Sequence, residues 1–558
     1  MRTFAITTLM TLAALAAACG VAERPAAPTA SAPPQPEVPF FDGLGDYGRV
    51  VANTSADAQR YFDQGLMFLF AFNHDEAIRA FRQAASLDPK CGMCWWGIAV
   101  AYGPHINNPM VPPDRAKAAW EALGKARAAG GGISGADQGL IDALASRYAD
   151  PQPENRAPLD LAYASAMREA WKRNPSDADT GALFAEALMD LRPWDLWTPD
   201  GKSQPGTDEV IRTLEAVLAL SPNHPLGLHL YVHAMEMSPT PEKADATADR
   251  LRDLTPGLGH LVHMPSHIDV RRGRWGQAMG ANTRAMEADN RYNQQVPKQG
   301  FYGVYMAHNH HMFAYAAMMI GQSAAAIDAI DTMVTRMPDD WKAEYAPIAD
   351  GFSAMPLEVR MRFGRWEEIL AAPEPPAGMP IARAFRLYAR GVALAAQGKI
   401  AEARAEQRAF LAARGAVPAE AQFGNNSGAG LIAVATEVLD GEILFRAGEK
   451  EKGLAALRRG VEAEDRLRYD EPPDWILPVR HAYGAALLEA GKAAEAAKIF
   501  RDDLKRLPDN GWSLFGLARS LRLLGKAREA GDVEARFQEV WSGADVNLKS
   551  SCFCQPGV

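Results

Sequence analysis

The chain has 558 residues, a formal net charge of −9 and a hydrophobic content of 48%. That length excludes a single compact core but not a repeat array, which has no such ceiling. The acidic balance argues against nucleic acid as a partner, which needs a basic face, and the hydrophobic content argues against a disordered chain.

Residues 1–18 read as an export signal. Arg2 supplies the positive start, and the stretch from Ile6 to Ala18 is apolar but short for a membrane span. Ala16, Ala17 and Ala18 lead directly into Cys19. This arrangement resembles the bacterial lipoprotein cleavage site, although Ala16 stands where a larger aliphatic is usual and Leu15 lies one position further back. The resemblance implies a lipid on Cys19, a membrane contact through that anchor and, with Gly20 in place of Asp, the periplasmic side of the outer membrane. Residues 19–50 read as a tether, Pro- and Ala-rich from Val21 to Pro39, that would hold the folded body off a bilayer.

From 51 to 545 the sequence is periodic. Between Ala58 and Cys91, Tyr61, Gly65 and Phe68 are followed by Ala77, Phe81 and Ala84, and the unit closes at Pro89. Spacings of three and four mark two amphipathic helices, with small residues where the helices approach closely. The same frame returns in the closing prolines Pro222, Pro256, Pro338 and Pro508, and in Ala244, Ala278, Ala326, Ala403, Ala496 and Ala530 at mid-repeat. Gly391, Gly441 and Gly484 take the small position of the first helix. The pattern resembles the tetratricopeptide (TPR) repeat. It implies an all-α fold: a right-handed superhelical solenoid of about a dozen helical hairpins whose concave groove binds a protein or peptide. Insertions near 103–113 (GPHINNPMVPP) and 191–205 (LRPWDLWTPDGKSQP) interrupt the frame, and residues 546–558 form a tail beyond it.

Export places the four remaining cysteines in an oxidising compartment. They form two close pairs, Cys91 with Cys94 and Cys552 with Cys554. Disulfides and soft-metal ligation both remain open for them.

Eight of the twelve histidines fall between His229 and His311. His229 and His233 recur 34 positions later as His263 and His267; His260 stands three before His263, and His308 three before His311. Counted within their units, these residues occupy positions 2, 5 and 9, which lie on one side of the first helix. In the TPR family those positions line the concave groove. The expected groove wall is therefore His229, His233, His260, His263, His267, His308 and His311, flanked by Glu186, Glu236, Tyr315 and Asp190. His310 faces away. Imidazole pairs at i and i+4 can share a metal, so copper, zinc and iron are the candidate ions, with Glu186 or Glu236 completing a site or orienting a ring. No phosphate loop, nucleophile elbow or HExxH motif is present, and no residue is identified as catalytic. Two functions stay open: an exported scaffold for a protein or peptide partner, and a transition-metal-binding protein or metal-dependent enzyme built on the histidines.

Overall fold

The computed structural model describes residues 38–558, apart from 53, 130–132 and 556–558. The export signal, Cys19 and most of the tether lie outside the described residues.

The first hairpin illustrates how the sequence builds the array. Ser55 caps Ala56–Phe70, its side chain accepting from the Ala58 amide, and Asn73 caps His74–Leu87 by accepting from Glu76. Phe81 is fully buried between the two helices and the next one, Gly92–Ala101. A Cβ on Gly65 would lie 2.7 Å from its ring, and one on Gly97 2.6 Å. Glycine at both places is what lets three backbones close around one phenylalanine.

The pattern repeats through 26 α-helices among the described residues, with one short strand pair, Gln422–Phe423 against Asn426–Ser427. Each helix packs mainly on its sequence neighbours, as a stacked-hairpin array requires. The mid-repeat alanines Ala244, Ala278, Ala326, Ala403, Ala496 and Ala530 are all fully buried. The all-α, TPR-type organisation expected from the frame is the observed one.

The boundary differs at the N-terminal end. The tether was expected to run to residue 50, but the folded body begins at Pro39. Phe40 stacks on Tyr61 at 4.3 Å between ring centroids, Gly257 donates to the Gly43 carbonyl at 2.8 Å, and Arg49 pairs with Asp137, Asp177 and Asp179. Aromatic and charged residues thus interrupt the Pro/Ala composition where the chain docks. At the other end, Asp545 accepts from the Ser323 and Ala324 amides at 2.7 and 2.8 Å, Trp512 donates to the Met318 carbonyl at 2.7 Å, and Trp275 donates to Pro508 at 3.0 Å. The late repeats therefore fold back on the middle of the array. The C-terminal residues continue over it, Ser551 donating to the Trp512 carbonyl at 2.8 Å. Among the described residues, no helix is long and apolar enough to cross a membrane.

Candidate metal centre

Four segments bring the histidines together. His224 caps Pro225–Glu236, which carries His229, His233 and Glu236. Gly259–His263 carries His260 and His263, and Pro265–Arg271 carries His267. Pro265 lacks an amide proton and breaks what would be one helix into two, so His263 and His267 stand on either side of the break. Gly303–Met319 supplies His308 and His311.

Equal register does put these rings side by side. One ligand atom from each of His229, His233 and His260 lies within 4.8 Å of the others, and the same holds for His263, His267 and His308, and for His233, Glu236 and His267. Three nitrogens within 4.8 Å of one another lie no more than about 2.8 Å from a common point, against about 2.1 Å for a metal–imidazole bond, so no ring need move inward by more than about 0.7 Å.

The hydrogen bonds orient the rings. The Glu236 carboxylate accepts from His233 Nδ1 at 2.7 Å and from His267 Nδ1 at 2.5 Å. Asn282 donates its amide to the Ala278 carbonyl at 2.8 Å, so its oxygen faces His263 Nδ1 at 2.9 Å and must accept from it. The Phe70 carbonyl accepts from His229 Nδ1 at 2.9 Å. All four rings are thereby left with Nε2 pointing inward. His263 Nε2 and His267 Nε2 then face each other at 2.8 Å. With both Nδ1 atoms protonated and both rings neutral, that contact would set two lone pairs against each other, and only a cation between them makes it attractive. His260 Nε2 meets His229 Nε2 at 3.1 Å, which one N–H donor satisfies, while His233 Nε2 and His260 Nδ1 have no hydrogen-bond partner.

Burial holds His229, His260, His263 and His308 well below the usual imidazole range, and it holds His311 at about 3. Burial also lowers His233, more than Glu236 raises it. Neutral imidazole is the ligating form. His267 is the exception: burial pushes it down, but Glu236 outweighs this and raises it. Burial pushes Glu236 up, yet its two histidine partners bring it down to about 2. A proton on His267 and a metal ion are thus the two cations that satisfy the facing nitrogens.

The irregular segments all converge here. Trp194 of the second insertion donates to Asn107 of the first at 3.1 Å and packs edge-on against His233, with centroids 5.2 Å apart. Arg468 donates to the Pro193 carbonyl at 3.3 Å. Residues 468–474 are pinned to the strand pair, Asn425 donating to Asp470 at 3.0 Å and Asn426 to Asp474 at 2.7 Å. Together these segments frame a cavity of about 370 Å³ with His233, His260, His267, His308 and His311 on one wall.

Several placements differ from the groove expectation. The ring wall is not an open concave surface: His229, His233, His260, His263 and His267 are buried, because the two insertions and residues 468–474 cover them. Glu186 lies outside the three ligand groups; it sits with Asp190 near Arg147, where burial raises both carboxyls and Arg147 bonds Asp190. His311 borders the cavity and belongs to no triad, and Tyr315 is buried. His310 faces away, towards a different pocket beside Arg336, as expected. The register missed His105, in the first insertion, and His74. Their rings are 4.3 Å apart and reach the centre through Phe72, whose centroid lies 4.4 Å from that of His229.

Both cysteine pairs are disulfides, Cys91 with Cys94 and Cys552 with Cys554. Cys91 also caps the helix Gly92–Ala101. The second pair lies beside buried Glu442, and Arg446 donates to the Cys554 carbonyl.

No family model matches this chain, and no curated protein matches it. Among solved structures it is similar to a human IFIT1 dimer with m7Gppp-AAAA, at 12% identity and a TM-score of 0.33, over 88% of this chain and 91% of that one. It is similar to the APC/C hetero-tetramer Cut9–Hcn1 at 13% identity and a TM-score of 0.31, over 86% of this chain and 76% of that one. It is also similar to YrrB, a TPR protein with an unusual peptide-binding site, at 17% identity and a TM-score of 0.20, over 37% of this chain and 91% of that one. By its own repeat frame and stacked hairpins, the chain is an all-α helical-repeat protein.

Proposed function

We propose that this is an exported, lipid-anchored helical-repeat protein whose functional centre binds transition metal, with two ions held by the triads His229/His233/His260 and His263/His267/His308. The observation that carries the reading is the pair of inward-facing Nε2 atoms of His263 and His267, each fixed by an acceptor on its Nδ1. Two such triads in one buried patch supply imidazole donors suited to Cu²⁺, Zn²⁺ or Fe²⁺. Glu236 holds two of the rings from behind, as outer partners of metal-ligating histidines do. The outer faces of the array serve as a scaffold for a protein partner, a common role for such repeats. Burial makes the histidines unsuited to act as peptide contacts.

Metal analysis of the purified mature protein tests this reading. The expected content is two ions per chain. Replacing His233 and His267 together with Gln should abolish most of it, and His310→Gln should not. A protein that carries no metal, and whose melting does not respond to added Zn²⁺ or Cu²⁺, would overturn the reading.

A further inference from the structure

The cavity beside the centre has a sharply divided chemistry. Its mouth is at the surface, where Met110 is 73% exposed and Pro109, Pro347 and Gly424 are also exposed. Its sides are largely aromatic and apolar: Trp194, Phe301, Phe352 and Phe423, with Val304 and Ile348. Its histidine wall carries polar atoms that lack partners, His233 Nε2 and His311 Nε2. Among the described residues, no lysine or arginine lines it, and Asp470 and Asp474 stand on another side.

Each feature narrows the occupant. A volume of about 370 Å³ suits one small molecule. Ring edges and faces on several sides favour a planar aromatic body. A carboxylate or phosphate would find no side-chain cation and would meet two aspartates. Unpaired polar atoms gathered at one wall call for a single hydrogen-bonding and metal-binding head at one end of the ligand, and buried groups of this kind are costly to leave unmet. We propose that this cavity is the binding chamber for a hydroxylated aromatic of one or two rings that carries no carboxylate or phosphate, whose oxygen ligates the metal held by His263, His267 and His308. The proposal rests on the metal reading given above. The two insertions and residues 468–474 are then its walls, which is why the departures from the repeat gather at one place.

The test uses the mature protein loaded with Zn²⁺, which has no redox chemistry of its own, and 4-nitrocatechol as the probe. Saturable one-to-one binding with a shift of the probe's visible band is expected. Ile348→Trp fills the cavity, and Met110→Trp narrows its exposed mouth with little risk to folding. Each should weaken binding at least tenfold with the zinc count unchanged. A zinc-loaded protein that leaves the probe's spectrum unchanged, or Trp variants that bind as the parent does, would overturn the proposal. If the protein holds no zinc, the metal reading fails by itself. Calorimetry of the metal-free chain then decides the cavity separately: binding of 4-nitrocatechol lost in Ile348→Trp retains the aromatic chamber, and no binding removes it.

Discussion

Glu236 offers the most discriminating perturbation, because one carboxylate holds two rings. Each oxygen accepts from a different imidazole, His233 at 2.7 Å and His267 at 2.5 Å, and the residue is 1% exposed. In Glu236→Gln the amide oxygen still serves one ring, but the amide nitrogen faces the other ring's N–H. That ring must turn to the opposite tautomer, placing its proton on Nε2 and removing a metal ligand. Loss of one supporting acceptor typically costs about 10- to 100-fold in metal affinity, or about 1.4–2.7 kcal/mol. Glu236→Ala removes support from both rings, so its loss should approach the product of two such factors, about 10²- to 10⁴-fold. Competition against a chromophoric chelator at pH 7.5 measures both variants. Equal affinities for the parent and Glu236→Gln would refute the tautomer argument, as would equal losses in Gln and Ala, since a carboxylate that merely fills space has no reason to distinguish them.

Other consequences can be measured directly. Asn282→Leu removes the acceptor for His263 Nδ1 and should weaken metal binding about 10- to 100-fold while His310→Gln leaves it unchanged, by the same competition assay. Burial, with Arg115 and Arg147 nearby, lowers His74 to about 3, so the unfolded chain takes up its proton first as pH falls below the usual 6.5. That contribution to stability is complete above about 6.5 and is lost on acidification, and His74→Gln should flatten urea-measured stability against pH by about 1.4 kcal/mol per unit between those values. A slope unchanged by the substitution would mean that His74 is not held neutral. Gly97→Ala forces a methyl to within 2.6 Å of the Phe81 ring and should cost about 1–3 kcal/mol by denaturant unfolding. Cys19→Ser should release the protein from the membrane fraction; a variant correctly processed and still membrane-bound would count against the anchor.

Periodicity made the scaffold legible. A fixed frame means equal direction, and six of the seven histidines named from register do form the two triads. Local spacing carries that information because stacked helices present the same face. What register could not supply was anything from outside the frame. His105 sits in an insertion, where no position number predicts direction, and residues 468–474 arrive from more than 150 positions along the chain. Glu186 holds the same register position as His233 and His267 but lies outside the ligand groups, beside Asp190, where burial raises its carboxyl. The histidine wall is buried for a related reason: segments that break the repeat frame the cavity over it. Glu236 was named as a neighbour, yet its service to two rings follows from atomic distances that spacing does not fix.

The fold-back of the late repeats changes how such a chain should come apart. An open repeat array behaves as a row of units that fray from its ends, each held only by its neighbours. Here Asp545 bonds the amides of Ser323 and Ala324, Trp512 reaches Met318, and Arg49 ties the first segment to Asp137, Asp177 and Asp179. Among the described residues, both the first and the last helical segments are tied elsewhere in the array. Peeling a terminal hairpin means breaking contacts with the middle, so unravelling from the termini loses its easy first step. The row becomes a clasped ring of dependencies, and hydrogen exchange should find the terminal helices opening together with the central ones instead of ahead of them.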